Sequence, residues 1–398
     1  MKAFSQCALG DRFQRITRKN TGANTNVLTI SAQHGLINQF EYYNNQYASE
    51  DTSGYTLLYK GDFAYNKSYS EGHPLGATKR LARYDSGVVS PLYICFAPKD
   101  GVCADFYSYY FESEPFYREI YKIAQEGARN HGLLNVSAED FFKIKIAAPP
   151  LAEQRRIAEI LGCCDRVIAL KKELIAEKKK QKKALMQKLL APDSGFRLPG
   201  FSGEWRKYSV SEICTIESGG TPATTDEECW GGNVFWCTPS DITNSGKYIY
   251  STPQTITQKG IENSSATLLP IGSIIMCSRA SIGPRCITRV PMTTNQGFKN
   301  FICSKSLYNE FWYYFIGTIL EDLYKMASGN TFKEISKSAI ATYHVVIPPS
   351  YKEQQAIADI LSATDREIDL LEQELAQQQQ KKKSLMQLLL TGNVRVNK

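Results

Sequence analysis

Two stretches of this chain, 200 residues apart, carry nearly the same text. From Glu153 the sequence reads EQRRIAEILGCCDRVIALKKELIAEKKKQKKALMQKLL; from Glu353 it reads EQQAIADILSATDREIDLLEQELAQQQQKKKSLMQLLL. Gln154 matches Gln354, Asp165-Arg166 matches Asp365-Arg366, and Leu185-Met186-Gln187 matches Leu385-Met386-Gln387, with no gap inside the repeat. A Pro-Pro pair introduces each copy, Pro149-Pro150 and Pro348-Pro349. A single period this long means two similar halves rather than a solenoid of short units. Each half is read as a globular region followed by one long helix: residues 1–148 and 149–192, then 193–347 and 348–398, the last including a short tail.

The repeated text is helical. Ile157, Leu161, Cys164, Ile168, Ile175, Leu185 and Leu189 fall on a stripe of three- and four-residue spacing. Ile357, Leu361, Thr364, Ile368, Leu371, Leu375, Leu385 and Leu389 form its counterpart. Proline just ahead of each copy blocks helix upstream and marks a start. About 38 residues would span roughly 57 Å. Both stripes fail in the middle, at Lys178 and Lys182 and at Gln378 and Lys382, so neither helix is stable alone and the other copy is the natural partner. Residues 151–190 hold eleven basic and five acidic side chains; residues 351–390 hold five basic and seven acidic. Antiparallel pairing would bring Lys182-Lys183 near Asp359 and Lys381-Lys382-Lys383 near Glu159, whereas parallel pairing would stack lysine on lysine. The lysine run 178–183 fits either a solvated helix face or a contact with phosphate or a partner protein.

The globular regions read as mixed helix and strand, giving an α+β fold with an internal two-fold repeat. Asn26–Ser31, Tyr93–Phe96, Ile271–Cys277 and Tyr343–Ile347 are strand-like. Helices are expected over Phe111–Gln125 and Leu307–Lys325. Turn signals stand at Lys60-Gly61-Asp62, Ser218-Gly219-Gly220-Thr221-Pro222 and Gly329-Asn330. Leu57–Asp62 echoes Leu268–Ser273, so the two regions are expected to share one fold with divergent surfaces.

Composition excludes several classes. Charged residues make up 22% and apolar residues 42% of the 398, the range of a globular chain. The net charge of +7 allows a polyanionic partner without requiring one. The eleven cysteines include no Cys-x-x-Cys pair and the four histidines are scattered, so no metal site is expected and the thiols are read as reduced. No apolar run reaches membrane-spanning length and the first residues carry no secretory signal, so a cytoplasmic location is expected. No phosphate-binding glycine loop, Gly-x-Ser-x-Gly or His-Glu-x-x-His is present. The Pro-Pro pairs lack the preceding Asn or Asp and the following Tyr or Phe that an adenine methyltransferase uses. Catalysis by this chain is therefore not expected.

What remains is binding. Arg15 and Lys19, the run Lys60, Tyr65, Asn66 and Lys67, and the group Lys79, Arg80 and Arg83 mix cations with amides and rings in the first region. In the second region Ser278, Arg279, Thr294, Asn295, Gln296, Lys299, Asn330, Thr331 and Lys333 do the same. Cations suit phosphate; Asn and Gln can read adenine and Arg can read guanine through paired hydrogen bonds. Each residue taken alone reads first as an ordinary surface or core-edge group. Ile157, Leu161, Ile168, Leu185, Leu189, Ile357, Leu361, Ile368, Leu385 and Leu389 are the candidates for helix pairing or partner docking.

Several phrases together resemble the specificity subunit of type I restriction-modification systems, over essentially the whole chain. They are Lys60-Gly61-Asp62-Phe63-Ala64-Tyr65-Asn66-Lys67 and Gly87-Val88-Val89-Ser90-Pro91-Leu92-Tyr93 in the first half. In the second they are Gly219-Gly220-Thr221-Pro222, Trp236-Cys237-Thr238-Pro239-Ser240-Asp241-Ile242 and Thr294-Asn295-Gln296-Gly297. Pro-Pro followed by Glu-Gln-x-x-Ile-Ala-x-Ile-Leu closes both halves. The resemblance implies two target recognition domains, each reading one half of a split, asymmetric site in double-stranded DNA. They are separated by two long helices that form an antiparallel coiled coil and fix the unread spacer. It also implies that the helices dock two methyltransferase subunits, which bind S-adenosylmethionine and methylate adenine at N6, and that two restriction subunits are optional further partners. The chain itself would bind no cofactor and perform no chemistry. Two other readings compete: a coiled-coil adaptor that does not bind DNA, and a fused modification enzyme with an unrecognised active site.

Overall fold

The structure is a computed structural model that describes residues 4–22, 24–31, 34–45, 51–68, 74–124, 134–329 and 333–396. Two helices dominate the order of elements, Leu151–Leu190 and Tyr351–Leu390, each of 40 residues. The chain divides into two compact units, residues 1–172 with 373–398, and residues 173–372. Each long helix thus contributes its two halves to different units. Among the described residues no helix is long and apolar enough to cross a membrane.

The first unit is built on a four-stranded antiparallel sheet in the order Phe13–Arg15, Ile94–Pro98, Phe63–Asn66, Ala77–Arg80. Phe13, Phe63, Tyr65 and Phe96 alternate onto one face of it, as strand periodicity requires. Helices Ala104–Tyr110, Glu114–Ile123 and Ala138–Lys143 cover that face with Phe106, Phe111, Phe116 and Phe141. The rings meet edge-on, Phe13 to Tyr107 at 5.0 Å and Phe63 to Phe111 at 5.4 Å. Each buried ring of this kind stabilises by about 2 kcal/mol before ordering costs. Ile157, Leu161, Leu389 and Leu390 of the long helices enter the same core. A hairpin of Leu28–Ser31 with Gly35–Asn38 and a pair of Thr56–Tyr59 with Ser86–Val89 complete the unit.

The second unit repeats the sheet order with Cys214–Ser218, Phe298–Cys303, Ile274–Cys277 and Arg285–Thr288, and adds Tyr248–Ile249 in parallel at the edge. The echo between Leu57–Asp62 and Leu268–Ser273 has a backbone cause. Gly61 and Gly272 both stand at positive φ, 102° and 87°, in the turn that launches the central strand. Gly61 donates to the Leu81 carbonyl and Gly272 to that of Thr288, at matching places on the next strand. A three-stranded sheet of Thr255–Ile256, Trp230–Cys237 and Met292–Thr294 is the element in which this unit departs from the first.

Each globular region closes on itself before the long helix starts. Gln6–Ala8 pairs with Lys145–Ala147, and Arg206–Ser209 pairs with His344–Ile347. The matched glutamines then lock the helix start. Gln154 donates to the Pro149 carbonyl at 2.7 Å and accepts the Cys103 N–H at 2.9 Å. Gln354 donates to Pro348 at 2.9 Å and accepts the Tyr308 N–H at 2.7 Å. Both side chains are buried, and an amide satisfied on both ends suits such a position.

Two expected helices change. The helix expected over Leu307–Lys325 is two, Asn309–Ile316 and Leu320–Met326, broken at Gly317 where the backbone passes against Arg285 and any Cβ would lie 2.7 Å from its guanidinium. The helix expected over Phe111–Gln125 starts only at Glu114, restarted by Pro115, and ends at Ile123; Gln125 lies outside the described residues.

The long helices pair antiparallel in each unit. In the first, Lys171 meets Glu374 and Asp165 meets Lys382, both at 2.6 Å. In the second, Lys178 meets Glu367 and Lys179 meets Glu372 at 2.6 Å, and Lys182 meets Asp365. The sense follows the charges, but the register differs from the expected one. Lys182 finds Asp365 rather than Asp359, and Lys382 finds Asp165 rather than Glu159, six residues or about 9 Å further along.

Candidate nucleic-acid interface

In the second unit the structure gathers five separated segments at one end of the sheet. The Thr294 carbonyl accepts the Gly220 N–H at 2.9 Å, and the Asn295 N–H donates to Cys237 at 3.0 Å. The Trp236 indole donates to the Gly220 carbonyl at 2.9 Å. Ser278 sends both its N–H, at 2.8 Å, and its hydroxyl, at 3.1 Å, to the Gly297 carbonyl. Ala280 N–H reaches the Lys333 carbonyl at 3.1 Å. Gly219 is required by this packing, since a Cβ there would sit 2.0 Å from the Asn295 carbonyl oxygen.

Burial sorts these residues into scaffold and readers. Ser278, Thr294 and Lys299 are buried; the Thr294 hydroxyl accepts from Asn300 at 2.8 Å, and Lys299 pairs with Glu334 at 3.3 Å. Asn295 is half-buried and its side-chain oxygen accepts the Gly297 N–H at 2.9 Å, which shapes the loop. Gln296, Arg279, Lys333 and Thr221 stand exposed around them. Gln296 accepts the Thr221 hydroxyl at 2.5 Å, Arg279 lies 3.9 Å from Glu334, and the Lys333 ammonium sits 4.3 Å over the Tyr324 ring. Ala280 holds a φ of 60°, a left-handed conformation that costs an alanine about 1 kcal/mol and that the surrounding bonds impose. Asn330 and Thr331 lie outside the described residues.

The candidates of the first unit do not converge in the same way. Lys79 and Arg80 are held at 2.5 Å by Glu112 and Asp105, tying the edge strand to the helical layer. Arg83 pairs with Glu41 at 2.8 Å beside the Tyr84 ring. Lys60 lies 3.7 Å from Asp85, Lys67 donates weakly to the Val136 carbonyl at 3.4 Å, and the Asn66 side chain accepts the Ser68 N–H at 3.0 Å. Arg15 and Lys19 are exposed, the latter bonded to the Gly54 carbonyl at 2.8 Å. Tyr65 is fully buried, stacked on Phe141 and bonded to the Leu75 carbonyl at 2.8 Å, so it is a core residue. Its place two residues after Phe63 on one strand face already pointed inward.

Sequence reading passed over a polar chain on this unit. Asn24 donates to the Ser86 hydroxyl and Asn38 to Asn26, both at 2.8 Å; the Asn38 N–H reaches the Tyr84 hydroxyl at 3.2 Å, and Tyr84 donates to Glu41 at 3.1 Å. The helix Gln39–Tyr43 beside it exposes Phe40, Tyr42 and Tyr43. Arg18, in the basic group with Arg15 and Lys19, pairs with Asp62 and lies 4.4 Å over the Tyr59 ring. Burial pushes the Asp62 carboxyl up, against the pull of the Tyr59 N–H and Arg18. The density of asparagine between positions 20 and 45 was the available signal.

The helix-pairing candidates are placed largely in the cores of the units. Ile157, Leu161, Leu385 and Leu389 pack in the first unit, and Leu185, Leu189, Ile357 and Leu361 in the second. Ile368 is buried and Ile168 half-buried. The exposed apolar residues of the long helices are others, among them Leu170 and Leu370 at matching positions of the repeat, 65% and 60% exposed.

The model of the type I restriction modification DNA specificity domain matches residues 82–179 and 202–379. A specificity subunit of the type I enzyme MjaIX from Methanocaldococcus jannaschii is 37% identical over 46% of this chain and 43% of its own length, so the match spans under half of that relative. The putative MjaX specificity subunit of the same organism is 26% identical over 94% of this chain and 87% of its own. The EcoR124I/EcoR124II specificity subunit of Escherichia coli is 29% identical over 56% and 55%. Among solved structures, a chain from work on complex assembly and conformational transition of the type I R-M system superimposes with a TM-score of 0.63 at 18% identity, covering 99% of both chains. The HsdS subunit of Thermoanaerobacter tengcongensis gives 0.55 at 18% identity over 98% and 97%. With residues 82–179 and 202–379 inside the family match, well over half of the chain, this protein belongs to the type I restriction-modification DNA specificity family.

Proposed function

We propose that the two globular regions each read one half of a split, asymmetric DNA site, and that the pair of long helices sets the unread spacer. The observation that carries this is a duplicated sheet topology with unlike polar surfaces, above all the exposed Gln296, Arg279 and Lys333 held on a buried scaffold in the second unit. Cations there give phosphate affinity that falls with salt. An amide and a guanidinium give base choice, each good paired contact being worth about 1–3 kcal/mol. Two methyltransferase subunits dock on the long helices, where Leu170 and Leu370 offer two equivalent apolar positions for identical partners. Those subunits carry S-adenosylmethionine, receive the adenine in their own pocket and methylate N6. Two restriction subunits join the same complex where DNA is cut, and the assembly works in the cytoplasm. This chain supplies recognition and spacing and no chemistry of its own.

The test is a genome-wide map of methylated adenine in cells that express the chain with its methyltransferase partner. A new split motif, two short half-sites around one spacer length, is the expected result. Gln296→Ala or Arg279→Ala should then relax one half-site and leave the other unchanged. Absence of new methylation with the partner shown to be bound, or relaxation of both half-sites together, contradicts the assignment.

A further inference from the structure

The two copies of the repeat exchange one contact with each other's partner position. In the first unit the Tyr109 hydroxyl donates to Asp165 at 2.7 Å, and Lys382 reaches the other carboxylate oxygen at 2.6 Å. The same lysine nitrogen lies 5.2 Å from the centre of the Tyr109 ring. In the second unit Tyr314 donates to Asp365 at 2.5 Å, Lys182 pairs with the other oxygen, and its nitrogen lies 5.7 Å from the Tyr314 ring centre. Asp165 and Asp365 are matching positions of the repeat, and so are Lys182 and Lys382. Each lysine therefore meets the aspartate of the other copy, under a tyrosine carried by a globular region.

We propose that these two Tyr–Asp–Lys triads lock the register of the helix pair and thereby the spacer length, an inference that rests on the helices being the ruler. The ends of the helices are held in the cores of the units, and along the middle of the pair the contacts select a register less sharply. The central ion pairs, Lys171 with Glu374, Lys178 with Glu367 and Lys179 with Glu372, join long flexible stems on both sides, lysine to glutamate. Pairs of that kind add little and follow a displaced partner. The apolar stripe fails at Lys178, Lys182, Gln378 and Lys382, and leucines spaced by three and four pack similarly after a shift of one heptad. In each triad the carboxylate is anchored from a third direction. Tyr314 is buried, and Tyr109 is half-buried in the helical layer of its unit. The globular region thus decides where the carboxylate stands, and the lysine of the opposite helix must arrive there. A slip of one turn moves it by about 5.4 Å and breaks the contact. A polar contact that specifies helix register is the best-attested use of such groups.

Asp165→Asn with Asp365→Asn removes the two charges and keeps the shapes. In the full chain with its methyltransferase partner, discrimination against sites whose spacer is one base pair longer or shorter should fall about tenfold, with both half-sites unchanged. Carbodiimide coupling of lysine to carboxylate reads the register directly. The unaltered chain should couple Lys171 to Glu374 and Lys178 to Glu367, and the asparagine variant should add couplings displaced along the helix. Unchanged couplings with an unchanged spacer overturn the triads' role. Displaced couplings with an unchanged spacer overturn instead the assignment of the helices as the ruler. Should the asparagine variant not fold, Tyr109→Phe with Tyr314→Phe removes only two hydroxyls and is scored by the same two measurements.

Discussion

The first unit and the second share a sheet order and a helix lock but differ in what their polar side chains do. In the first, Lys79, Arg80 and Arg83 are consumed by Glu112, Asp105 and Glu41, and the residues that matched a DNA-binding pattern are scattered over the unit. In the second, Gly219–Thr221, Trp236–Cys237, Ser278–Ala280, Thr294–Gly297 and Lys333 meet in one place. The lesson is that the apolar pattern, shared by both, preserves the topology, while loops outside the core are free to carry different recognition surfaces. The carboxylates at the helix starts show the same contrast on a smaller scale. Glu353 accepts two hydrogen bonds from Arg197, both at 2.7 Å, with its side chain 2% exposed. Glu153 is held by Arg395 at 2.8 and 2.7 Å and also by the Val396 N–H at 3.2 Å.

The contrast can be broken most forcefully at Arg197. Arg197→Ala leaves the Glu353 carboxylate buried without its partner and should cost about 3 kcal/mol in urea unfolding of the full chain. Arg395→Ala should cost clearly less, because Glu153 keeps a backbone donor; equal losses would deny the asymmetry. Next comes the pair of crowded glycines. Gly219→Ala drives a Cβ against the Asn295 backbone and should cost about 2 kcal/mol and abolish recognition of one half-site. Gly87→Ala meets the buried Leu28 side chain more than backbone, so a smaller loss is expected in thermal unfolding and half-site maps. Trp236→Phe removes the indole bond to Gly220 and part of a buried ring packed on Trp230, and should cost about 1–2 kcal/mol while loosening the same half-site. The smallest effect is in acid. Arg395, with the Val396 N–H, holds the Glu153 carboxyl below its ordinary 4.5. Its contribution is therefore complete above pH 4.5 and is lost as pH falls through the lower folded value. Arg395→Ala should flatten that limb of a stability-against-pH curve, and an unaltered limb would mean the carboxylate is held by other groups.

Much of the fold was legible because periodicity is local. The three- and four-residue stripes and the preceding prolines marked both long helices, and the Gly61 and Gly272 turns revealed that the two regions match. The break at Gly317 was not legible, since it depends on Arg285 approaching from a distant strand. Tyr65 carried the same letters as a surface aromatic in a basic segment, and only its strand face sends it into the core. Gln296 and Arg279 were visible as recognition types, but their standing beside each other rests on hydrogen bonds between segments far apart in sequence.

The sequence by itself determined that there are two halves, that each ends in one long helix, and that those helices run antiparallel, since like charges forbid the alternative. Tertiary structure decided the register and the exposed recognition face. Lysine reaches several carboxylates over a turn and a half of helix, so charge matching along the sequence is degenerate. Asp165 and Asp365 are singled out only because Tyr109 and Tyr314, fixed by the packing of their own units, hold those carboxylates in place.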